Sequence, residues 1–126
     1  MIITGAFLAD GAETNGAKLD IRGAVWDYVN IGADMDIITP LLVVMAQTSP
    51  DDYVRPQEIS VTVTNPAGEV CGEAALKISE LGNRAENRWF YFGVTFKTVE
   101  SGRYGFQVQT SDDQVVAFGL QVNKVR

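Results

Sequence analysis

The sequence contains no histidine and a single cysteine, Cys71, and these scarcities exclude whole classes of chemistry. Without an imidazole, Ser-His-Asp and Cys-His nucleophile systems, histidine general bases and most zinc or copper sites do not form. One cysteine makes no intrachain disulfide, which favours a reducing compartment. We therefore expect a non-enzymatic protein with no cofactor and no bound metal, located in the cytoplasm or in a virion assembled there.

Basic residues and long apolar runs are also scarce. Lys and Arg number 10 against 16 Asp and Glu, which gives a formal net charge of −6. Nucleic-acid binding draws on clustered Lys and Arg, and none of the basic residues here adjoins another. The longest apolar run, residues 41–46, is far shorter than the roughly 20 residues of a membrane helix, and residues 1–9 lack the basic segment of a signal peptide. We expect neither nucleic acid nor membrane as a partner.

Alternating apolar and polar side chains dominate residues 88–122. A period of two is typical of half-buried strands, and a turn signal at residues 100–102 separates two such runs. The pattern predicts an antiparallel hairpin. Its inward side chains are Phe90, Phe92, Val94 and Phe96 on the first strand and Tyr104, Phe106 and Val108 on the second.

Further strand patterns fill most of the remaining chain. They cover residues 2–8, 18–29, 40–48, 59–64, 69–78 and 114–122, with a polar turn over residues 10–16. A bulge near Gly23 would rotate Trp26 and Tyr28 inward. Residues 41–45 are apolar at odd and even positions alike, so both faces of this strand carry apolar side chains. The pattern predicts a strand that is covered on both faces. In the strand at 69–78, Val70, Leu76 and Ile78 are expected to point inward.

This arrangement predicts one all-β domain over residues 1–126, of about seven to eight strands. Turn signals at short spacing and the near absence of helical periodicity favour an antiparallel β-sandwich of the immunoglobulin-like kind. A barrel topology remains open, because connectivity is not readable from alternation.

Two segments resemble known proteins. Phe7-Leu8-Ala9-Asp10, followed by Gly16-Ala17-Lys18-Leu19-Asp20-Ile21-Arg22-Gly23-Ala24-Val25-Trp26-Asp27, resembles the opening of a family of small uncharacterised bacterial and phage proteins; in this chain Ala17 separates the family's Gly-Lys pair. Ser101-Gly102-Arg103-Tyr104-Gly105-Phe106 is similar to the Gly-x-Tyr-x-Phe strand start of immunoglobulin-like domains. The resemblances imply a sandwich fold and a bacterial or phage setting, and they bring no functional residues.

The candidate functional residues are the aromatics that alternation places off the core. Trp89 and Tyr91 face outward if their neighbours face inward, and Trp26 and Tyr28 could join them on a neighbouring strand. Exposed aromatics mark an interface with a second copy or another protein, or a platform for a small molecule or sugar. The structural alternative is that a loop, such as residues 80–87, folds over the rings.

Acidic residues form the second candidate group. Calcium takes several converging oxygen ligands, and loop aspartates at one end of a sandwich could supply them. The competing interpretation is that they cap turns. The residues are Asp10, Asp20, Asp27, Asp34, Asp36, Asp112 and Asp113.

These observations favour a protein–protein interaction or assembly module, either a homo-oligomer or an accessory component of a bacterial or phage assembly. The alternative is a small-molecule or carbohydrate-binding module that uses the outer aromatics, with calcium held in the acidic loops. A weaker alternative is an acidic inhibitor that occupies a basic protein.

Overall fold

A computed structural model describes residues 1–49, 56–78 and 86–125, and these residues form strands and turns without any helix. The all-β prediction is thus confirmed. The twelve strands of the described residues outnumber the predicted seven to eight. They are β1 (Ile2–Ala9), β2 (Gly11–Asn15), β3 (Lys18–Arg22), β4 (Tyr28–Gly32), β5 (Ile37–Ile38), β6 (Leu41–Gln47), β7 (Gln57–Thr64), β8 (Val70–Ile78), β9 (Asn87–Gly93), β10 (Phe96–Lys97), β11 (Gly102–Thr110) and β12 (Val115–Val125).

The described strands lie in four sheets. The largest has five strands in the order β4-β12-β11-β7-β8, and a second has three in the order β1-β6-β9. Neighbours in both sheets are antiparallel, apart from β4, which runs parallel to β12. Two ribbons, β2–β3 and β5–β10, complete the arrangement. Among the described residues, no helix is long and apolar enough to span a bilayer.

The core is one buried cluster to which strands of the three-stranded and five-stranded sheets both contribute. Leu42 and Val44 of β6 belong to the same buried cluster as Val61 of β7 and Leu120 of β12. Phe106 of β11 stacks on Phe118 of β12 with ring centroids 5.0 Å apart. Apolar side chains of both sheets are therefore removed from water together, which is the main source of stability for such layers.

The predicted hairpin over residues 88–122 is wrong in its pairing. β9 pairs with β6 in the three-stranded sheet, whereas β11 pairs with β7 and β12. The chain leaves the three-stranded sheet after β9, and the ring of Phe96 meets the ring of Phe106 of β11 at 5.3 Å in the core. Alternation identified the buried faces correctly, because Phe90 and Phe92 pack against the core cluster. The alternation carries no information about which strand is hydrogen-bonded to β9 or to β11.

The predicted strand over residues 18–29 is also wrong, because it is broken after Arg22. Gly23 and Val25 have φ angles of 57° and 51°, in the left-handed region that strands do not use. Gly23 tolerates this conformation, and a Cβ there would collide with the Asp10 carboxylate. The chain therefore leaves β3 at this corner, and β4 begins again at Tyr28 in a different sheet.

Residues 11–15 form a strand where the sequence predicted a polar turn. β2 pairs with β3 from Gly11 opposite Arg22 to Asn15 opposite Lys18, and Gly16 in the turn has a φ of 63°. The result is a two-stranded hairpin, called here the β2–β3 hairpin (residues 11–22). Its position decides what happens to the predicted aromatic surface.

Val70 is 57% exposed and does not point inward as predicted. The register between β7 and β8 shifts so that Thr64 faces Val70 while Val63 faces Gly72, which leaves Cys71 as an extra residue. A bulge of this kind reverses the side-chain direction beyond it. Ile78, on the regular side of the bulge, packs against the core as predicted.

Candidate functional site: outer aromatics, a cleft and open strand edges

Trp89 and Tyr91 lie on the outer face of β9, opposite in direction to the core-facing Phe90 and Phe92. Both outer rings are half-buried rather than exposed. The Trp89 indole N–H donates to Thr14 Oγ1 at 3.1 Å, and the Tyr91 hydroxyl shares a hydrogen bond with the same oxygen at 3.3 Å. One side chain of the β2–β3 hairpin therefore holds the polar ends of both rings.

The β2–β3 hairpin covers the outer face of the three-stranded sheet. Val43 of β6 points to this face, opposite Phe7 and Tyr91, and is 0% exposed. The prediction that this strand is covered on both faces is confirmed. Of the predicted covering loop, residues 80–87, residues 80–85 lie outside the described residues. The hairpin carried its own signal, since Leu19 and Ile21 share one face of it and are half-buried, whereas Asp20 is exposed.

Trp26 and Tyr28, predicted as neighbours of the outer aromatics, separate. Trp26 is half-buried, packs against the core, and donates its indole N–H to Asp10 Oδ1 at 3.0 Å. It lines a cleft of about 440 Å³ that Tyr91 also lines. Tyr28 lies on β4 in the five-stranded sheet, opposite Gln121, and is 61% exposed. The prediction that Tyr28 joins Trp89 is wrong, because the break at residues 23–27 sends the chain to the other layer.

The edge of β1 is closed by tertiary contacts. The Ile3 N–H donates to Gln114 Oε1 at 2.7 Å, and the Ile3 carbonyl accepts from Gln114 Nε2 at 3.3 Å. Near the other end of the strand, the Leu8 carbonyl accepts the backbone N–H of Trp26 at 3.3 Å. These contacts use polar backbone groups that would otherwise be open to another strand.

The edge of β8 is protected by charge and by crossing chain. Glu73 and Lys77 project from this strand and are exposed. A Cβ at Gly72 would lie 2.6 Å from the Thr95 carbonyl oxygen and 3.0 Å from the Phe96 Cα, so the chain at β10 passes directly against β8. Charged side chains and covering segments are common means of preventing strand addition.

The edge of β4 lacks both kinds of protection from Tyr28 to Ile31, whereas Asp34 and Met35 lie against Gly32 at its end. Among the described strands, β4 pairs only with β12, and its five residues, Tyr28 to Gly32, carry no charge. No backbone hydrogen bond from outside its sheet closes the edge between Tyr28 and Ile31 in the described part of the chain. This strand therefore presents unpaired backbone donors and acceptors to its surroundings.

Exposed apolar side chains lie on β4, on the end of β12 and on segments bonded to these strands. We call this set the apolar rim: Tyr28 61%, Met35 45%, Ile37 56%, Val99 68% and Val125 47% exposed. Lys124 Nζ forms an ion pair with Asp36 Oδ1 at 2.8 Å and also donates to the Val99 carbonyl at 3.4 Å. These contacts tie the segments that carry the rim to the end of β12.

The predicted acidic cluster is dispersed among separate partners. Asp10 accepts from Trp26, Asp20 from Asn15, and Asp36 from Lys124. Within residues 1–49, 56–78 and 86–125, no group of three or more side chains of the types that hold a metal comes together. The convergence that calcium binding requires is thus absent from the described residues.

Cys71 sits in the bulge of β8 and packs partly against the core. Burial raises the pKa of its thiol above the ordinary value of 9.0, and a hydrogen bond to its own backbone opposes this effect. The thiol is therefore protonated at neutral pH, and the thiolate that nucleophilic chemistry needs is scarce.

Comparisons with protein-family models and with curated proteins returned no match for this chain. The resemblance of residues 7–27 to a bacterial and phage family therefore stays a prediction. Function has to be inferred from the surfaces just described: the covered aromatics, the cleft, and the open edge of β4.

Proposed function

We propose that the protein is a non-enzymatic association module that forms a homodimer through the β4 edge, as an accessory component of a bacterial or phage assembly. The observation that supports this proposal is the combination of an uncharged, unpaired strand with the apolar rim. Backbone groups at a free edge give affinity to strand addition, and apolar neighbours add buried area. Trp89 and Tyr91, the residues first expected at an interface, instead hold the β2–β3 hairpin.

The sequence of β4 suits a second copy of itself as the occupant. A two-fold axis at Asn30 would pair two β4 strands antiparallel, with Tyr28 of one copy opposite Gly32 of the other. Both residues lie on the outer face of the sheet, where the Tyr28 ring would meet Gly32 together with the Asp34 carboxylate and the Met35 side chain that lie against it. At the axis, each Asn30 amide has two N–H donors to offer, while its Oδ1 already accepts from Asn123 Nδ2 at 3.1 Å.

We also propose an arrangement for the two main sheets. We assign the three-stranded and five-stranded sheets to one immunoglobulin-like sandwich of eight strands, with the β2–β3 and β5–β10 ribbons as additions. The buried cluster that both sheets share supports this assignment. Pairing of two β4 edges would then join two five-stranded sheets into one continuous sheet across the dimer.

The test is the molar mass from light scattering coupled to size-exclusion chromatography. We expect a dimer at about 100 μM, since interfaces of modest area have micromolar Kd values. Asn30→Lys should yield a monomer, because it places two like charges at the axis. Ala75→Lys, on the outer face of the charged β8 edge, is the matched control and should remain dimeric.

Two results would overturn the proposal. One is a wild-type protein that is monomeric at every concentration tested. The other is a dimer whose mass is the same in Asn30→Lys and Ala75→Lys, since that dimer would use a different surface. Circular dichroism of both variants checks that the strands are intact.

A further inference from the structure

The cleft shared by Trp26 and Tyr91 has the composition of a small-molecule site. It measures about 440 Å³, within the range of roughly 300 to 1,000 Å³ typical of ligand pockets. Two aromatic side chains, a carboxylate, a guanidinium and a hydroxyl line it, contributed by Trp26, Tyr91, Asp10, Arg22 and Thr39. Small residues form much of the remaining wall, so the backbone is accessible from the cleft.

Both rings are fixed by hydrogen bonds at their polar ends. Trp26 Nε1 donates to Asp10 Oδ1 at 3.0 Å, and the Tyr91 hydroxyl is bonded to Thr14 Oγ1 at 3.3 Å. Neither ring stacks on another aromatic ring among the described residues. The rings are therefore oriented in advance, which lowers the entropy lost on binding. Each ring is half-buried and lines the cleft with the part that remains open.

Two polar side chains of the cleft have hydrogen-bonding atoms without a partner among the described residues. The Arg22 guanidinium lies against Gly11, where a Cβ would come within 2.9 Å of its Cζ atom. It makes no side-chain hydrogen bond or ion pair with any residue that the structure describes. Asp10 uses Oδ1 for Trp26, and Oδ2 has no partner in the described chain. The cleft thus offers up to five N–H donors and a carboxylate oxygen.

The backbone beside the cleft is strained where it positions Trp26. Val25 has a φ of 51°, a conformation that a β-branched residue rarely adopts, and its side chain is 66% exposed. Packing of the Val25 side chain does not account for this strain. The conformation turns the chain so that Trp26 can donate its backbone N–H to Leu8 and its indole N–H to Asp10. Strain of this kind is common at ligand sites.

We propose that this cleft binds a neutral saccharide, with one pyranose ring placed against Trp26 and Tyr91. A pyranose has an apolar C–H face, which packs on aromatic rings, and vicinal hydroxyl groups at its edge. Those hydroxyls can donate to the Asp10 carboxylate and accept from the Arg22 guanidinium in charge-assisted hydrogen bonds. One negative and one positive side chain balance each other, which favours a neutral ring over an acidic one.

The test is ligand-observed saturation-transfer NMR on the full chain. The neutral probes are maltotriose, cellotriose, chitotriose and mannotriose, and glucuronic acid is the acidic probe. Each is used at about 5 mM, since a small ligand in an open cleft has a Kd near 1 mM. We expect saturation transfer to at least one neutral trisaccharide. Arg22→Gln should weaken that binding about fivefold or more, and Asp10→Asn should also weaken it.

Controls separate this cleft from other surfaces. Because Trp26 packs against the core, Arg22→Gln carries the test, since the Arg22 side chain is exposed and its loss leaves the core intact. Tyr28→Ala removes an exposed aromatic on β4 and should leave saccharide binding unchanged. These outcomes do not depend on the dimer proposed above, because binding is measured whatever the molar mass.

Three results would overturn the proposal. The first is no signal from any neutral trisaccharide, and the second is a signal that Arg22→Gln leaves unchanged or that Tyr28→Ala reduces equally. The third is binding of glucuronic acid alone, lost in Arg22→Gln, which would identify the cleft as a carboxylate site.

Discussion

The outer faces of the two main sheets differ in what lies on them. The three-stranded sheet points Val43 and Met45 of β6 outward together with Trp89 and Tyr91, and the β2–β3 hairpin lies over them. The outer face of the five-stranded sheet has no comparable cover among the described residues. Apart from the exposed Val115 and Val125 of β12, its central strands carry small, polar or charged side chains there: Ser60, Thr62, Thr64, Arg103, Gly105, Gln107, Gln109, Ala117, Gly119 and Gln121.

This difference shows where the chain needs extra structure. A strand such as β6 has apolar side chains on both faces. The protein loses stability if either face stays in water, so a further element has to cover the outer face. A strand such as β7, with Val61 inward and Thr62 outward, has only one apolar face that needs to be buried. The covering hairpin is thus a consequence of the β6 composition, and changes to the two faces should differ in effect.

The largest expected difference comes from a charge placed on each outer face. Val43→Asp buries a carboxylate at a position that is 0% exposed, and we expect a loss of about 4 kcal/mol in the free energy of unfolding. Gln107→Asp puts the same group on the uncovered, exposed face of β11 and should change stability by no more than about 0.5 kcal/mol. Urea unfolding monitored by tryptophan fluorescence measures both.

Equal losses for these two variants would contradict the comparison. They would mean either that the β2–β3 hairpin does not exclude water from Val43, or that the outer face of the five-stranded sheet is itself covered. Val43→Ala provides a reference for the lost volume without the charge.

Much of the strand content was readable from the sequence because side-chain direction in a strand is local. In the predicted strand over residues 59–64, Ile59, Val61 and Val63 alternate with polar residues, and each is no more than 1% exposed. The two-sided burial of β6 was readable for the same reason. A period of two reports which face is removed from water, whatever strand lies beside it.

The pairing partner of each strand and the element that covers a sheet face could not be predicted from the sequence, because both depend on residues far apart in the chain. The partner of β9 is β6, which ends about 40 residues earlier, and alternation in β9 is the same with any neighbour. Val25 gave no sign of its positive φ, since its conformation follows from contacts of Trp26 rather than from its own preferences. Tyr28 was assigned to the wrong layer for that reason.

An intermediate effect is expected from the oxygen that joins the hairpin to the sheet. Thr14→Val keeps the side-chain shape but removes the hydroxyl bonded to both Trp89 and Tyr91. Two lost hydrogen bonds at an exposed site should cost about 1 kcal/mol. Thr14→Ser keeps the hydroxyl and is the control. Hydrogen exchange of β2 and β3 amides should rise in Thr14→Val only; unchanged exchange would mean that packing alone holds the hairpin.

The smallest effect is expected on the uncovered face, where side chains can move aside. A Cβ at Gly119 would meet only the guanidinium end of Arg103, which can swing into solvent, so Gly119→Ala should alter stability by about 0.5 kcal/mol or less. Gly72→Ala is the contrasting variant, because its Cβ would meet the backbone of Thr95 and Phe96, and it should cost about 2 kcal/mol. Thermal and urea unfolding of Gly119→Ala and Gly72→Ala measures both changes in stability. A cost at Gly119 as large as the cost at Gly72 would show that Arg103 is held in place by something packed on that face, and the distinction between a covered and an open sheet would fail.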